Sequence, residues 1–346
     1  MIIFSLLLTF IMSIMITPFI IKLAKRIGAT DAPDERKVHV KVMPRLGGLG
    51  IYIAFLVGVL IFIDDYESIA PILIGSFIIV LTGFIDDLYT ITPKVKLSGQ
   101  LLAAIVTVIG GVKINYVTIP IFDRIEFGFW AIPVTVIWII AITNAINLID
   151  GLDGLAAGIS SIALITISIL SITMDNPLTA LLGTLLLGST LGFLVYNFHP
   201  AKIFMGDTGS LLLGYLISTF SIMGLFKNVT ILSLIIPVII LAVPIIDTFF
   251  AIIRRWVNKK PLSAPDKMHL HHRLIHLGYS HKQTVLLIYL LSILFSIAAI
   301  LFTKATVWGS ILIVVILLII VEAIVEITGL INENYRPLLT MLNLKK

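Results

Sequence analysis

The sequence predicts an all-α polytopic integral membrane protein with about eleven transmembrane helices. Two observations carry that prediction. Of 346 residues, 59% are hydrophobic and only 12% charged, with a mean hydropathy of +1.12, which leaves too little polar surface to cover a water-soluble globule of this size. The charge that remains is gathered into every second loop between apolar runs, so one membrane face must hold the polar chemistry.

The elements follow in order from windows of about 19 residues. Run 2–21 lacks a small-residue cleavage site and precedes a long basic loop, so it is expected to stay as a helix. Runs 46–63 and 69–85 are joined by a brief connection from Asp64 to Ser68, where Asp64-Asp65 reads as helix-end solvation. After run 97–112, the stretch Lys113 to Glu126 alternates polar and apolar residues around Phe122-Asp123-Arg124 and predicts a small external β-hairpin. Runs 127–149, 155–173, 178–196 and 211–226 follow, then 230–253, which Pro237 and Pro244 are expected to kink. Runs 284–303 and 305–326 complete the set. Asp247, Glu322 and Glu326 are the acids inside these runs, either functional groups or carboxylates reaching water at an interface. With no Gly/Ser linker, low-complexity tract or repeated motif, residues 1–346 read as one integral domain.

Orientation follows from the cations. Alternate loops, 22–45, 86–96, 150–154, 197–210, 254–283 and the tail after 326, hold twenty of the twenty-four Lys and Arg residues; the other set keeps Lys113, Arg124, Lys227 and Lys304. The positive-inside rule puts the first set in the cytoplasm and the N-terminus outside. That bias accounts for the net charge of +5 without a nucleic-acid partner, while favouring anionic lipid and polyphosphate. Absence of cysteine removes disulfides and thiolate metal sites.

Four motifs occupy the inner loops. The densest is Asn144-Ala-Ile-Asn147-Leu-Ile-Asp150-Gly-Leu-Asp153-Gly154, with polar groups every third residue on a slowly turning face. Its amides and carboxylates are hard oxygen ligands of the kind Mg²⁺ accepts when substrate phosphates also hold it, and helix-end capping explains one or two of these residues but not four in register. Asp86-Asp87, ending the third run, is a pair of adjacent carboxylates that raises a pKa or recruits a cation, with plain helix-end solvation as the alternative. Asn197-Phe-His-Pro-Ala-Lys202-Ile-Phe204-Met-Gly206-Asp207-Thr-Gly209-Ser210 opens the eighth helix with free N–H groups suited to phosphate; Asp207 reads as a metal ligand or as a plain N-cap. His269-Leu-His271-His272-Arg273, with His276 and His281 beyond it, hints at zinc, but neighbouring carboxylates and arginines favour an oxygen-held metal and polyphosphate. The first inner loop, with Arg36, Lys37, His39, Lys41 and Arg45 before Gly47-Gly48, supplies cations for phosphate or a solvated basic segment.

These sites describe a cytoplasm-facing pocket for a divalent metal and a polyphosphate, beside lipid. The motif set (Asp86-Asp87, the stretch from Asn144 to Gly158, Phe204 to Ser210, and His269 to Arg273) resembles that of the polyprenyl-phosphate N-acetylhexosamine-1-phosphate transferases, glycosyltransferase family 4. The resemblance covers nearly the whole chain with the motifs in family order. It implies an enzyme of the bacterial cytoplasmic membrane, active site facing the cytoplasm, that moves a sugar phosphate from a UDP-amino sugar to undecaprenyl phosphate. The cofactor implied is Mg²⁺, with Mn²⁺ as a substitute, and a homodimer fits the resemblance. By the same resemblance Asn147 and Asp207 hold the metal. Asp86 acts on the lipid phosphate with Asp87 in support, and Asp150 and Asp153 shape the nucleotide site near Asn144. Phe204 stacks near uracil with Asn197 fixing it, and His269, His271, His272, Arg273 and Arg45 bind phosphate or sugar. Pro44-Arg45-Leu-Gly47-Gly48 and His-Leu-His-His-Arg resemble the UDP-GlcNAc branch, initiating teichoic acid or O-antigen synthesis, more than the branch that takes the peptidoglycan pentapeptide precursor. A prenyltransferase would need a further acid after Asp86-Asp87-Leu-Tyr-Thr, and a transporter would carry its polar groups at the membrane midplane.

Overall fold

The computed structural model describes residues 1–31, 42–119, 123–225, 235–259, 261, 266, 268–331 and 335–341. The expected phosphate cations Arg36, Lys37, His39 and Lys41, and Phe122 of the expected hairpin, lie outside them. The chain is mostly helical, and among the described residues eight helices are long and apolar enough to cross a membrane. It divides into two compact units, Met1–Ile235 and Ile236–Lys346.

In the first unit, α1 (Ile2–Ile27) runs past its apolar segment to a left-handed cap at Gly28 and packs on α7 (Pro177–Asn197) and α2 (Gly47–Phe62). Its burial is the reverse of a soluble helix. Ser5, Thr9, Ser13 and Thr17 face inward at four-residue spacing, and Phe4, Ile11, Met15 and Phe19 face outward. Small residues let helices approach closely where lipid removes the hydrophobic incentive to associate. Three of these hydroxyls return their hydrogen bonds to their own helix, as Thr17 does to the Ser13 carbonyl at 2.7 Å.

After α2, α3 (Tyr66–Tyr89) starts with Asp65 accepting from Ser68 N–H, the helix-end role expected for the Asp64-Asp65 pair. α4 (Pro93–Ile109) leads to an antiparallel hairpin of Tyr116–Ile119 and Asp123–Glu126, in the stretch where the alternation predicts one. α5 (Ala131–Ile149) and α6 (Leu155–Thr173) flank α8 (Gly206–Leu225), which is buried from Thr208 to Leu225 among α2, α3, α5, α6 and α7. α8 is thus the axis of this unit, and its N-terminus is enclosed by chain from several neighbours. A short two-stranded pairing, Thr30–Asp31 with Met43–Pro44, ties the end of α1 to the start of α2.

The second unit holds most of α9 (Ile235–Ile240), then α10 (Ala242–Val257), α11 (Leu270–His276), α12 (His281–Lys304), α13 (Val307–Thr328) and α14 (Pro337–Met341). The ninth apolar run breaks at Leu241 as Pro244 requires: proline lacks the N–H that would reach the Ile240 carbonyl, and its ring crowds that group. The other ten runs each fold as one helix within a few residues of expectation. α2 and α4, at 16 and 17 residues, fall short of the eight span-length helices. Glu326, buried in α13, caps α14 by accepting from Leu338 and Leu339 N–H at 2.6 and 2.8 Å.

Candidate active site

The first unit gathers its motifs around the N-terminus of α8. Gly206 adopts a left-handed conformation (φ 71°) beside the Asp87 carboxylate, and a Cβ there would meet Asp87 Oδ2 and the Arg45 carbonyl. A Cβ on Gly48 would collide with the backbone of Gly209, so α2 and α8 touch main chain to main chain at this level. The segment before α2 is stitched alongside: Phe204 N–H donates to the Pro44 carbonyl at 2.8 Å, and Gly47 and Gly48 N–H donate to the Phe204 and Met205 carbonyls at 3.0 and 2.9 Å. Phe204, half-buried, is fixed in position by this backbone ladder.

Asp87, from the end of α3, caps α8. Its Oδ1 accepts from Asp207 N–H at 2.9 Å, and its Oδ2 accepts from Thr208 N–H and Oγ1 at 3.0 and 2.6 Å. Arg45 donates to the same Oδ1 from Nε and Nη2, both at 3.1 Å. The capping task that the sequence leaves open to Asp207 is therefore performed across the bundle by Asp87, and the Asp207 carboxylate is left facing other partners. A negative group at this helix end is also favoured by the helix dipole.

Those partners are Lys96 Nζ, at 2.8 Å from Asp207 Oδ1, and Asn147 Nδ2, which donates to the same oxygen and also to Ser210 Oγ at 2.8 Å. Lys96 also reaches Asp86 Oδ2 at 3.1 Å and Asn147 Oδ1 at 3.2 Å. Side-chain oxygens of Asp86, Asn147 and Asp207, from α3, α5 and α8, thus converge on one cationic nitrogen. This hard-oxygen set fits Mg²⁺, which accepts a few carboxylates and completes its shell with phosphate and water. Asp86 also takes Ile91 N–H on Oδ1 at 2.8 Å, fixing the turn after α3.

Farther round, Asn144 and Gln100 exchange amide hydrogen bonds at 2.7 and 3.3 Å, linking α5 to α4 one turn deeper than Asn147 and Lys96. Asp150 is half-buried; its N–H closes α5 on the Asn147 carbonyl at 3.4 Å, and its carboxylate has no hydrogen bond or ion pair among the described residues. Burial first, and then the charges of Asp207, Asp87 and Asp153, push its pKa up to about 8. Asp153 accepts from Ala201 N–H at 3.1 Å and pairs with His199 Nδ1 at 2.9 Å. Asn197 is buried with both ends of its amide on backbone: Gly154 N–H donates to it at 3.1 Å, and it donates to the Ile203 carbonyl at 2.9 Å. It clamps the loop before α6 to the loop before α8.

The histidine motif belongs to the second unit. His269 Nδ1 pairs with Asp247 Oδ2 at 2.7 Å, while Asp247 Oδ1 accepts Leu270 N–H at 2.7 Å, so this buried acid orients the ring and caps α11 together. His271 is buried with neither ring nitrogen partnered among the described residues, its ring stacked on His269 at 5.9 Å and tilted against His272 at 4.2 Å. Burial, and secondarily His272, push its pKa down to about 3. Arg273 Nε donates to the Thr328 carbonyl at the end of α13 at 2.7 Å. Arg254 binds both Asp266, at 2.6 and 3.1 Å, and the Leu330 carbonyl at 2.6 Å.

Two outcomes of this geometry are measurable. His271 stays neutral in the folded protein while an unfolded histidine titrates near 6.5, so its contribution to stability is lost as pH falls from about 6.5 towards 3, on the order of 2 kcal/mol by pH 5. Melting temperature should fall over that interval, and His271→Leu should flatten the fall. His276, exposed at the end of α11, should tolerate Ala with turnover unchanged and stability within about 0.5 kcal/mol; a severe defect would enlarge the histidine site.

Sequence reasoning from the motifs passes over Lys96 and Gln100. The available signal is their i, i+4 spacing at the start of an otherwise apolar helix, which puts a cation and an amide on one face.

Comparison with known proteins accords with this arrangement. A family model described as Glycosyl transferase family 4 matches residues 69–225, the span that includes Asp86 through Asp207. The chain is 51% identical to a probable undecaprenyl-phosphate N-acetylglucosaminyl 1-phosphate transferase of Bacillus subtilis, over 94% of this chain and 91% of that protein. It is 36% identical to a decaprenyl-phosphate N-acetylglucosaminephosphotransferase of Mycolicibacterium smegmatis, covering 78% and 74%. It is 33% identical to a phospho-N-acetylmuramoyl-pentapeptide-transferase of Halalkalibacterium halodurans, covering 86% and 95%. Carrying its motifs in order across span-length apolar helices, the chain belongs to glycosyl transferase family 4, the polyprenyl-phosphate N-acetylhexosamine-1-phosphate transferases.

Proposed function

We propose that the protein transfers GlcNAc-1-phosphate from UDP-GlcNAc to undecaprenyl phosphate, giving undecaprenyl-diphosphate-GlcNAc and UMP. The observation that carries this reading is the 51% identity, over nearly all of both chains, to a relative whose name states that acceptor and that sugar phosphate. An oxygen of the lipid phosphate attacks the β-phosphorus of the donor, the Pα–O–Pβ bridge breaks, and UMP leaves. Catalysis of such a transfer is mainly positioning and charge neutralisation.

In this reading Asp207 and Asn147 hold Mg²⁺, which when bound neutralises charge on the diphosphate. Asp87, with all its acceptor positions on α8 and Arg45, aims Asp207 and takes no proton. Asp86, whose second oxygen faces Lys96, positions the lipid phosphate or takes its proton. Asp150 and Asp153 shape the nucleotide site, beside Asn144. Phe204 stacks on uracil, Asn197 clamps the two loops that carry this site, and Arg45, His269, His271, His272 and Arg273 serve phosphate or sugar. The asymmetry of Lys and Arg supports an N-terminus outside and the site on the cytoplasmic face of a bacterial membrane, the apolar runs support about eleven spans in one integral domain, and the resemblance to initiating enzymes supports the first step of a surface polysaccharide, with a homodimer compatible with it.

Donor labelled with ³²P at the β-phosphate tests the chemistry. Label should enter the lipid fraction while unlabelled UMP is released; labelled UDP with unlabelled sugar on lipid would mean ordinary glycosyl transfer instead. Asp86→Asn should lower turnover at least about a hundredfold while UMP binding survives, and loss of UMP binding would move Asp86 to the nucleotide site.

A further inference from the structure

Lys96 occupies an unusual position for its charge. It lies in the first turns of α4, after Thr92 as N-cap and Pro93, where the helix dipole disfavours a cation. Its neighbour Lys94 points to solvent, but Lys96 is half-buried. An ammonium has three donors, and the three close oxygen partners of Lys96 are Asp86 Oδ2, Asp207 Oδ1 and Asn147 Oδ1, at 3.1, 2.8 and 3.2 Å. Two of these residues are those assigned above to the metal.

We propose that Lys96 is an exchangeable counter-ion of the metal site: it competes with the divalent cation for Asp207 and Asn147, and once displaced carries its charge to a phosphate of the donor. The inference rests on the proposed ligand pair. Asp207 Oδ1 already receives Lys96 and Asn147, so a metal ion bound to that oxygen competes with both donors, and of the two the ammonium is also repelled by a dication within a few ångströms. Lysine suits exchange, being a point charge on a flexible four-carbon stem, whereas a planar guanidinium is bound by fixed geometry. Until the metal arrives, Lys96 gathers two acids and an amide from three helices around one point. Arrival of the metal then frees a cation for the diphosphate, so metal binding and donor binding reinforce each other.

The test is Mn²⁺ affinity of detergent-purified protein, read from the electron paramagnetic resonance signal of free Mn²⁺, with thermal melting in EDTA and in saturating Mn²⁺. Lys96→Met should bind Mn²⁺ about tenfold tighter than wild type. It should melt below wild type in EDTA and together with it in Mn²⁺. Lys96→Gln, which keeps a hydrogen bond and drops the charge, should show the same tightening and serves if the Met variant does not fold. Lys96→Arg should stay within about threefold of wild type. Asp207→Asn separates the two layers of the reading. If it loses Mn²⁺ while Lys96→Met and Lys96→Gln bind no tighter than wild type, the exchange is wrong and the ligand pair stands. If Asp207→Asn binds Mn²⁺ as wild type does, the ligand pair falls and the exchange with it.

Discussion

Replacing Asp207 by Ala is expected to lower turnover by at least about three orders of magnitude and to remove the response of the residual rate to Mg²⁺. The size follows from what converges on this carboxylate. It is the acceptor shared by Lys96 and Asn147, it stands one residue into α8, and its neighbours have other tasks: Asp87 caps the helix end, and Asp86 holds the turn at Ile91 with one oxygen and faces Lys96 with the other. The fold should survive, since the cap of α8 comes from Asp87. A melting temperature within a few degrees of wild type, with turnover lost, is the expected pair of results. Wild-type turnover in this variant would remove Asp207 from the chemistry.

Asp87→Ala should fail differently. The substitution strands Asp207 N–H, Thr208 N–H and Thr208 Oγ1 without an acceptor, and leaves the Arg45 guanidinium facing Asp207 and Asp31 at 3.9 and 3.8 Å. Each orphaned buried group costs about 1–3 kcal/mol, and removing one partner of a buried ion pair about 3–5 kcal/mol, the terms overlapping. A loss of several kcal/mol of stability is therefore expected together with loss of activity. Asp87→Asn should do little better, because its amide nitrogen presents donors to donors. The contrast is the check: Asp207→Ala loses activity and keeps its melting temperature, whereas Asp87→Ala loses both. If Asp87→Ala melts like wild type, the cross-bundle cap is not what aims Asp207.

Much of this was legible in the sequence for a simple reason. In a chain with so little charge, an Asp or Asn at a helix end is conspicuous, and Asp86, Asn147 and Asp207 stand out although they are far apart in sequence. Pro237 and Pro244 likewise announce the break at Leu241, because proline acts on backbone within four residues. What was not legible depends on packing between distant helices. Asp86 and Asp87 look alike as letters, yet the step of about 100° between adjacent residues of α3 sends Asp87 to the end of α8, 120 residues on, and Asp86 towards Lys96. Lys96 reads only as one more cation of an inner loop until α4 is set against α3, α5 and α8. Asn197 and Arg273 look like ligand-binding groups by type. Both ends of the Asn197 amide, and Nε of Arg273, are engaged by backbone, because loop and helix ends in a buried setting need partners for their own carbonyls and N–H groups.

The measurement that tests the central claim most directly is UMP release by the purified protein with Mg²⁺ and undecaprenyl phosphate, run side by side with UDP-GlcNAc and with the UDP-MurNAc-pentapeptide. Release with UDP-GlcNAc, and none above background with the pentapeptide donor, is the predicted result. Release with the pentapeptide donor alone would keep the site and its chemistry but contradict the substrate, and release with neither would contradict the function assigned to this cluster of acids.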